Sequence, residues 1–330
     1  MRNKQLYPLK FDPIYHYRIW GGRRLSAYFS KPLPNDEPIG EAWVLSDRKE
    51  SPSRVKDGFL KGKTIAEILQ SYPKELMGES YKKFDKFPLL LKFLDAQTVL
   101  SVQVHPSDDQ KHLLPAGELG KTEAWVVLES SENSKIYGGL KSGTTKETLQ
   151  QAIDLKKTNE LLHSFQPQKG DAVYIPAGTV HTFDNLVLFE VQENSDVTYR
   201  LYDWDRIDEK TGKTRELQID KALESIDFNA PPSEPIIPEI KIDQGITREK
   251  LFDNPHFILW RIIRQERFFV GKEQQPRILV CLNGAGRLLI NGRQFSINKG
   301  EVVLIPAICG IGIIEPLGES IEIYEIAIPL

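Results

Sequence analysis

Short runs of alternating apolar and polar residues, separated by proline and glycine, follow one another along most of this chain. Alternation with a period of two is typical of strands, in which successive side chains point to opposite faces of a sheet. Helical periodicity is confined to three short pieces, near residues 64–76, 145–162 and 216–226. The pattern therefore predicts a mainly β protein with short helices.

One stretch occurs twice. Residues 169–183 read KGDAVYIPAGTVHTF, and residues 299–313 read KGEVVLIPAICGIGI. In both copies a Lys-Gly turn precedes an apolar strand that ends at Ile-Pro-Ala, so both are predicted to form the same corner of a small β-barrel. The copies differ at one position that could bind a metal, because His181 of the first corresponds to the apolar Ile311 of the second.

A second alignment extends the repeat. It matches TEAWVVL, from Thr122, with PRILVCL, from Pro276, and aligns Glu123 with Arg277. Glu123 and His181 both have side chains that can bind a metal, and both are therefore absent from the second copy. This is expected of a duplicated barrel with one functional half and one structural half.

A proline-rich segment separates the two repeats. Residues 230–238 read APPSEPIIP and have no helical period. We therefore predict a first domain over residues 1–230, a linker over 231–240 and a second domain over 241–330. The first domain carries a partly helical insertion over residues 129–168, and the second contains two tight hairpin signals, Asn283-Gly284 and Asn291-Gly292.

Composition narrows the class of protein. The 330 residues are 40% hydrophobic, which is enough for one large core or two smaller ones. The net charge is −3 and no long cluster of lysine and arginine occurs, so a small partner is expected rather than a nucleic acid. The opening MRNKQLYPLKF lacks the apolar run of a signal peptide, and no segment approaches the roughly 20 apolar residues of a membrane span. We expect a cytoplasmic protein without a membrane partner, whose two cysteines, Cys281 and Cys309, are buried thiols.

Candidate metal ligands follow from the alternation of LSVQVHP at residues 100–106. Ser101, Gln103 and His105 share one face of the predicted strand. A glutamine carbonyl and an imidazole two positions apart can both reach one ion about 2 Å away, and Glu123 and His181 would complete a set of two nitrogens and two oxygens. Zinc is the expected ion. Two histidines and a carboxylate also suit Fe(II), and Co and Mn stay open as well.

Each histidine alone also fits a plainer role, as a hydrogen-bonded residue at a strand corner. The shared polar face of residues 101, 103 and 105, and the joint loss of Glu123 and His181 in the second copy, favour the metal site. The remaining histidines have no such context, and we interpret them as structural or surface residues: His16, His112, His163 and His256.

Further charged residues surround these ligands in the sequence. Lys121 lies two positions before Glu123, on the same side if the segment is extended. Glu190 interrupts the apolar run LVLFEV, although it could instead point to solvent from a strand with one wet face. Asp196 and Arg200 flank the segment VTY. These residues offer candidate acids, bases and a fixed cation, whereas no phosphate-binding loop and no serine-nucleophile motif is present.

Four separated motifs resemble one family. They are SVQVHP at 101–106, GKTEAW at 120–125, IPAGTVH at 175–181 and NSDVTYRLYDW at 194–204. Their order and spacing resemble the shorter bacterial type I mannose-6-phosphate isomerases of the cupin superfamily, and the similarity includes WGG at 20–22 and EAWVLS at 41–46. The resemblance implies two cupin-type β-barrels of the double-stranded β-helix or jelly-roll kind, with the large helical domain of longer members reduced to a small insertion.

The resemblance also implies roles for individual residues. One zinc ion would be held by Gln103, His105, Glu123 and His181. Arg200 would lie beside the reacting sugar, and Lys121, Glu190 and Asp196 would have active-site roles. Phe183 departs from many members, which have tyrosine there, so a hydroxyl contact from that position is missing.

The implied reaction interconverts mannose 6-phosphate and fructose 6-phosphate by moving a proton between C2 and C1 through a cis-enediol. Which residue moves the proton, which residues hold the phosphate and the oligomeric state stay open.

Two alternatives come from other functional classes. A non-catalytic sugar-binding or sugar-sensing cupin would keep the barrel, but it would not need Lys121, Asp196 and Arg200 together. An Fe-dependent oxygenase would contain iron and consume oxygen. The joint presence of the three charged residues favours the isomerase.

Overall fold

The computed structural model describes residues 5–243 and 246–329, so the outer ends of the two predicted domains, at residues 1 and 330, lie outside the described residues. Strands dominate this part of the chain, which confirms the prediction of a mainly β protein with short helices. Among the helices described, none combines the length and the apolar character needed to cross a bilayer.

The described residues before the proline-rich segment form sixteen strands: β1 (Leu9–Lys10), β2 (Ile14–Gly22), β3 (Ile39–Leu45), β4 (Asp47–Arg48), β5 (Ser51–Pro52), β6 (Leu89–Ala96), β7 (Val102–Val104), β8 (Glu123–Glu129), β9 (Lys135–Leu140), β10 (Leu162–Phe165), β11 (Ala172–Ile175), β12 (His181–Asp184), β13 (Leu186–Glu193), β14 (Tyr199–Tyr202), β15 (Ile207–Asp208) and β16 (Lys213–Thr214). Eight more follow: β17 (Glu239–Asp243), β18 (Ile246–Asp253), β19 (Ile258–Arg264), β20 (Phe268–Gly271), β21 (Arg277–Ile290), β22 (Arg293–Asn298), β23 (Val302–Ile305) and β24 (Ile311–Ala327).

The described α-helices coincide with the three predicted helical pieces, with α2 ending one residue beyond the first: α1 (Ile65–Ser71), α2 (Pro73–Met77), α3 (Lys146–Asp154) and α4 (Ile219–Ser225). Thr64 and Thr145 begin α1 and α3 with capping boxes, in which the threonine side chain accepts from a backbone N–H three residues on. Single 3-10 turns complete the helical structure: Arg24–Ala27, Gly78–Lys83, Thr158–Leu161 and Ala307–Cys309.

We call the described residues before the proline-rich segment the first unit and those after it the second unit. Two sheets of the first unit face each other. A six-stranded sheet has the order β11-β8-β13-β6-β2-β3, and a five-stranded sheet has the order β10-β9-β12-β7-β14. Apolar side chains from both sheets, among them Trp125, Phe183 and Leu188, form one buried cluster between them. Helices α3 and α4 cover the other face of the five-stranded sheet, where Leu149 and Leu223 are buried.

The second unit contributes a nine-stranded sheet, ordered β1-β23-β21-β24-β19-β18-β17 with β20 beside β24 and β22 beside β21. Its first strand, β1, comes from the start of the chain, where Leu9 pairs with Leu304. The largest apolar cluster joins the two units, and within it the rings of Phe189 and Tyr324 lie 5.9 Å apart. The six-stranded sheet therefore packs against the nine-stranded sheet.

The strand pairing supports the alignment of the two repeats. Ile175 of β11 pairs with Glu123, and Ile305 of β23 pairs with Arg277 in the same way. One strand further, Trp125 pairs with Glu190 and Leu279 pairs with Glu325. Arg277 lies 3.7 Å from Glu325, so a buried ion pair occupies the place in the second unit where the first unit has its candidate site.

One of the two hairpin predictions is wrong. Asn291-Gly292 does form the turn between β21 and β22, where Ile290 pairs with Arg293. Asn283-Gly284 lies inside β21, which continues through it with shifts of register against β24. Gly284 has φ +77°, and such a residue inside a paired strand produces a bulge that bends the strand without reversing it.

Candidate active site

The candidate site lies between the two sheets of the first unit. On the five-stranded sheet, Gln103 of β7 pairs with His181 of β12 on one side and with Arg200 of β14 on the other. Side chains that lie directly opposite on paired strands have Cβ atoms about 4.5–5.5 Å apart. The pairing therefore sets these three side chains in one row.

The six-stranded sheet supplies the facing side chains. Glu123 begins β8, and Glu190 of the neighbouring β13 pairs with Lys92 of β6. Lys92 in turn pairs with Trp43 of β3. Both Glu190 and Lys92 are buried, so the strands place one carboxylate and one ammonium group beside Glu123 at the sheet interface.

The side chains of His105, Glu123 and His181 converge. His105 Nε2 lies 3.5 Å from one carboxylate oxygen of Glu123, and His181 Nε2 lies 3.3 Å from the other. The other ring nitrogens face backbone carbonyls, with His105 Nδ1 2.8 Å from Val197 O and His181 Nδ1 2.9 Å from Thr179 O. An imidazole held in this way turns its Nε2 lone pair toward the cluster, which is the orientation of a metal ligand.

Burial keeps both rings neutral. It lowers the pKa of His105 to about 3, with the charge of Lys121 acting in the same direction, and it also lowers the pKa of His181. Burial opposes ionisation of Glu123, but the positive charge of Lys121 holds the pKa of this carboxyl well below its ordinary value. Two neutral imidazoles and one carboxylate are the protonation states that bind a divalent metal.

The buried polar atoms at this point lack partners. Neither oxygen of Glu123 accepts a well-aligned hydrogen bond from a described residue, although Lys121 Nζ lies 2.6 Å from one of them. Gln103 Nε2 lies 3.2 Å from His181 Nε2. The nitrogen and oxygen of the Gln103 amide exchange places when the amide group turns by half a rotation. The carbonyl oxygen would then face the cluster. The residues present therefore fit a metal ion.

Lys121 lies on the same side of its segment as Glu123, as expected. Its Nζ is also 3.2 Å from His105 Nε2. Burial lowers the pKa of Lys121, but the charges of Glu123 and Glu190 outweigh this and raise the pKa above its ordinary value. Lys121 therefore carries a positive charge beside Glu123.

Glu190 points inward, so the alternative in which it faces solvent is wrong. It accepts a hydrogen bond from Trp125 Nε1 at 3.0 Å, and its other oxygen lies 3.5 Å from Lys92 Nζ. Burial and the negative charge of Glu123 raise the pKa of Glu190 to about 7. A carboxyl group with that pKa can take up and release a proton near neutral pH.

Asp196 and Arg200 lie at the wetter end of the site. The Asp196 side chain is 40% exposed and lies 3.5 Å from Lys92 Nζ. Arg200 Nε is buried and has no hydrogen-bond acceptor among the described residues. Burial, together with the charge of Arg215, lowers the pKa of Arg200, which marks a place where an anion would be stabilised.

The sequence analysis missed several charged residues of the site. Lys92 lies between Glu190 and Asp196, and Glu41 accepts hydrogen bonds from the guanidinium of Arg18 at 2.9 and 3.0 Å. A lysine inside the apolar run LLLKFLDA is the same kind of signal that identified Glu190, and it could have identified Lys92.

A cavity of about 360 Å³ lies beside the cluster of His105, Glu123 and His181, and of these three Glu123 lines it. Its volume lies in the range of small-molecule sites, and its walls are mostly polar or charged. The lining residues are Tyr17, Arg18, Ile19, Trp20, Glu41, Lys92, Leu94, Leu100, Ser101, Gln103, Lys121, Glu123, Phe183, Glu190, Asp196, Thr198, Arg200, Asp208 and Arg215.

Residues 8–123 match the family model of the catalytic domain of type I phosphomannose isomerase. The chain is 36% identical to mannose-6-phosphate isomerase ManA of Bacillus subtilis over 303 residues, which are 91% of this chain and 93% of that protein. It is 35% identical to a mannose-6-phosphate isomerase of Streptococcus mutans, over 91% of this chain and 92% of that protein.

Solved structures share the fold. The crystal structure of the mannose 6-phosphate isomerase from Bacillus subtilis has a TM-score of 0.88 and 29% identity, covering 98% of this chain and 100% of the other. A mutant phosphomannose isomerase from Salmonella typhimurium has a TM-score of 0.77 at 15% identity, over 98% of this chain and 100% of the other. Such structural neighbours have the cupin-type fold that the sequence predicts.

Removal of one imidazole tests the metal site. We expect His181→Ala to lower the affinity for a divalent metal by more than about 100-fold, because even residues that only orient a ligand contribute about 10–100-fold. Equilibrium dialysis with metal analysis measures the affinity. His163→Ala is the matched control, because His163 also pairs with a carboxylate, that of Glu234, away from the cavity. One equivalent of metal bound by His181→Ala at wild-type affinity would contradict the assignment.

Proposed function

Since this chain belongs to the type I phosphomannose isomerase family, we propose that its buried site interconverts mannose 6-phosphate and fructose 6-phosphate. The observation that carries the proposal is the buried group of His105, Glu123 and His181 beside Glu190, whose pKa is raised to about 7. The group supplies ligands for a metal, and Glu190 supplies a base for proton transfer.

Zinc is the proposed metal, held by Gln103, His105, Glu123 and His181. Two imidazole nitrogens with carboxylate and amide oxygens suit this ion, and both imidazoles are neutral as binding requires. When bound, the metal would act as a Lewis acid on the sugar oxygens at C1 and C2.

Glu190 is the proposed base. It takes the proton from C2 of the aldose, which gives the cis-enediolate. The proton of the C2 hydroxyl passes to the oxygen on C1, and Glu190 returns its proton to C1 of this intermediate, which gives the ketose. Lys121 is less suited to this step, because its raised pKa keeps it protonated. Lys121 instead donates to the sugar oxygens and balances their negative charge. Lys92 orients the base, because its Nζ lies 3.5 Å from Glu190, and Asp196 in turn lies 3.5 Å from Lys92 Nζ.

Arg200 is proposed to stabilise the negative charge of the enediolate. It lies beside Gln103 on the five-stranded sheet, and its guanidinium is always protonated. Arg18 and Arg215 line the same cavity. The guanidinium groups of Arg18 and Arg215 are paired with the carboxylates of Glu41 and Asp203. A phosphate dianion would share these groups with their carboxylate partners, and arginine binds phosphate in a planar, two-point geometry.

A non-catalytic sugar-binding protein would not require a buried carboxyl group poised near neutral pH, so this alternative is not favoured. A small sugar phosphate is the proposed partner. A cytoplasmic location stays a prediction from the sequence.

A coupled assay tests the proposed function. We expect the metal-loaded protein to convert mannose 6-phosphate, to lose turnover on treatment with a strong chelator and to recover it when zinc is added back. Unphosphorylated mannose is the control substrate and should react far more slowly, because it lacks the phosphate dianion that the cationic side chains of the cavity would bind. Metal-loaded, folded protein that does not turn over mannose 6-phosphate would overturn the proposal.

Glu190→Gln tests the base. The amide cannot take up a proton, so we expect kcat to fall by about 10²–10⁴, the usual contribution of a general base. In the wild type, kcat/KM should rise with pH as the carboxyl ionises. A bound cation stabilises the carboxylate, so the midpoint should lie between the ordinary 4.5 and about 7, and this limb should disappear in the variant. Glu160→Gln, on an exposed side chain, is the control. Residual activity above one tenth with the same pH limb would assign the step to another residue.

Arg200→Lys tests the stabilisation of the enediolate. The lysine keeps the charge but loses the planar pair of donors. We expect kcat to fall by about 10²–10³, the usual effect of losing one well-placed donor, with unchanged thermal stability of the metal-free protein. Steady-state kinetics separates the two roles, since a variant with normal kcat and a raised KM would show that Arg200 only binds substrate.

A further inference from the structure

A second group of ligand-type side chains lies behind the segment that carries Lys121 and Glu123. It consists of Asp108, Glu193 and His256, whose polar atoms all lie within 4.8 Å of one another. Neither Asp108 nor His256 lines the active-site cavity, so the group is separate from the residues described above.

The two carboxylates of this group hold the backbone of the segment. Asp108 Oδ1 accepts a hydrogen bond from Gly120 N at 2.7 Å. Glu193 Oε2 accepts one from Thr122 N, also at 2.7 Å, and Glu193 N donates to Thr122 O at 3.1 Å. Thr122 lies between Lys121 and Glu123. In extended chain the side chains of alternate residues point the same way, so holding Thr122 fixes the direction of both neighbours.

His256 joins this arrangement from the second unit. It lies in the connection between β18 and β19, and its Nδ1 is 3.1 Å from Glu193 Oε1. The backbone N–H of His256 donates to Asn254 Oδ1 at 2.9 Å, which anchors the connection itself. The Glu193 side chain is only 6% exposed, whereas that of His256 is 30% exposed.

The contact is also favourable electrostatically. The hydrogen bond to Glu193 raises the pKa of His256, and the charge of Asp108 acts in the same direction. A buried carboxylate without a partner is costly, and His256 supplies a partner on the side of Glu193 that faces away from Thr122.

We propose that His256 is a positioning residue for the active site. It fixes the carboxylate of Glu193, which fixes Thr122 and so directs Lys121 and Glu123 into the cavity. The second unit thereby takes part in catalysis, although it contributes none of the proposed ligands. The catalytic half of this inference rests on the proposed function, and the metal-binding half does not.

The test compares His256→Ala, His256→Asn and the control His163→Ala in the full-length protein. Asparagine is the conservative variant, because its Nδ2 occupies nearly the position of His Nδ1 and can donate to Glu193. His163 pairs with Glu234 Oε1 at 2.6 Å and has a similar exposure of 28%, but it lies on β10, which belongs to the other sheet and does not pair with β8. For each variant we measure the zinc affinity by chelator competition and the kcat and KM for mannose 6-phosphate. We also measure the thermal midpoint of the metal-free protein.

We expect His256→Ala to lower zinc affinity and kcat by about tenfold each, the lower end of the range for groups that orient metal ligands, with KM within about twofold of wild type. His256→Asn should recover most of both losses, and His163→Ala should change neither. A His256→Ala protein that loses only thermal stability, as a merely structural contact would, overturns the proposal. So does a second bound zinc that is lost in His256→Ala, because the three residues would then form a metal site of their own.

The two measurements separate this inference from the function it builds on. If the wild type binds zinc but does not isomerise mannose 6-phosphate, the proposed function fails. The loss of zinc affinity in His256→Ala and its recovery in His256→Asn still decide the role of His256.

Discussion

The carboxylate of Glu123 is completely buried, and the rest of the site depends on how its charge is compensated. Taking a single ion out of water costs several kcal/mol even after the surroundings relax, as a rough figure. Lys121 supplies one positive charge at 2.6 Å, but neither oxygen of Glu123 has a well-aligned donor. The neutral rings of His105 and His181 complete the surroundings without adding charge. A bound cation would resolve this deficit, so the same burial that makes the carboxylate costly also makes the group a good ligand set.

The second unit also buries a carboxylate, but it compensates the negative charge with different partners. Glu325 lies where Glu190 lies in the first unit and is equally buried, but its partners are two arginines, Arg277 and Arg248. Arg277 stands in the strand position of Glu123, so a positive side chain replaces both the carboxylate ligand and the metal that it would bind. The buried carboxylate of Glu325 is thereby paired with two cationic side chains of the protein itself. The two copies of the repeat therefore differ in how a buried carboxylate is compensated: Glu123 can bind a metal ion, whereas Glu325 is paired with arginines.

The sequence was sufficient for those parts of the site that depend on local alternation and on the repeat. Gln103 and His105 share a face because a strand alternates, and the comparison of the two copies singled out Glu123 and His181. The position of Lys92 inside an apolar run was a readable signal, but its partnership with Glu190 was not, because it comes from pairing between β6 and β13, whose residues are about a hundred positions apart. The turn expected at Asn283-Gly284 was wrong for a related reason, since pairing with β24 continues on both sides of the glycine and converts a hairpin signal into a bulge.

The division into domains stays a prediction, but the contacts between the units have a physical consequence. Strand β1, from the start of the chain, pairs with β23, and the ring of Phe189 packs on that of Tyr324 across the two units. Phe189 is next to Glu190 on β13 and points to the opposite face, because adjacent residues of a strand alternate. One strand therefore presents the candidate base to the cavity and an aromatic anchor to the second unit. Packing on the anchor side restricts how β13 can shift, and it thereby holds Glu190 in the position where burial raises its pKa.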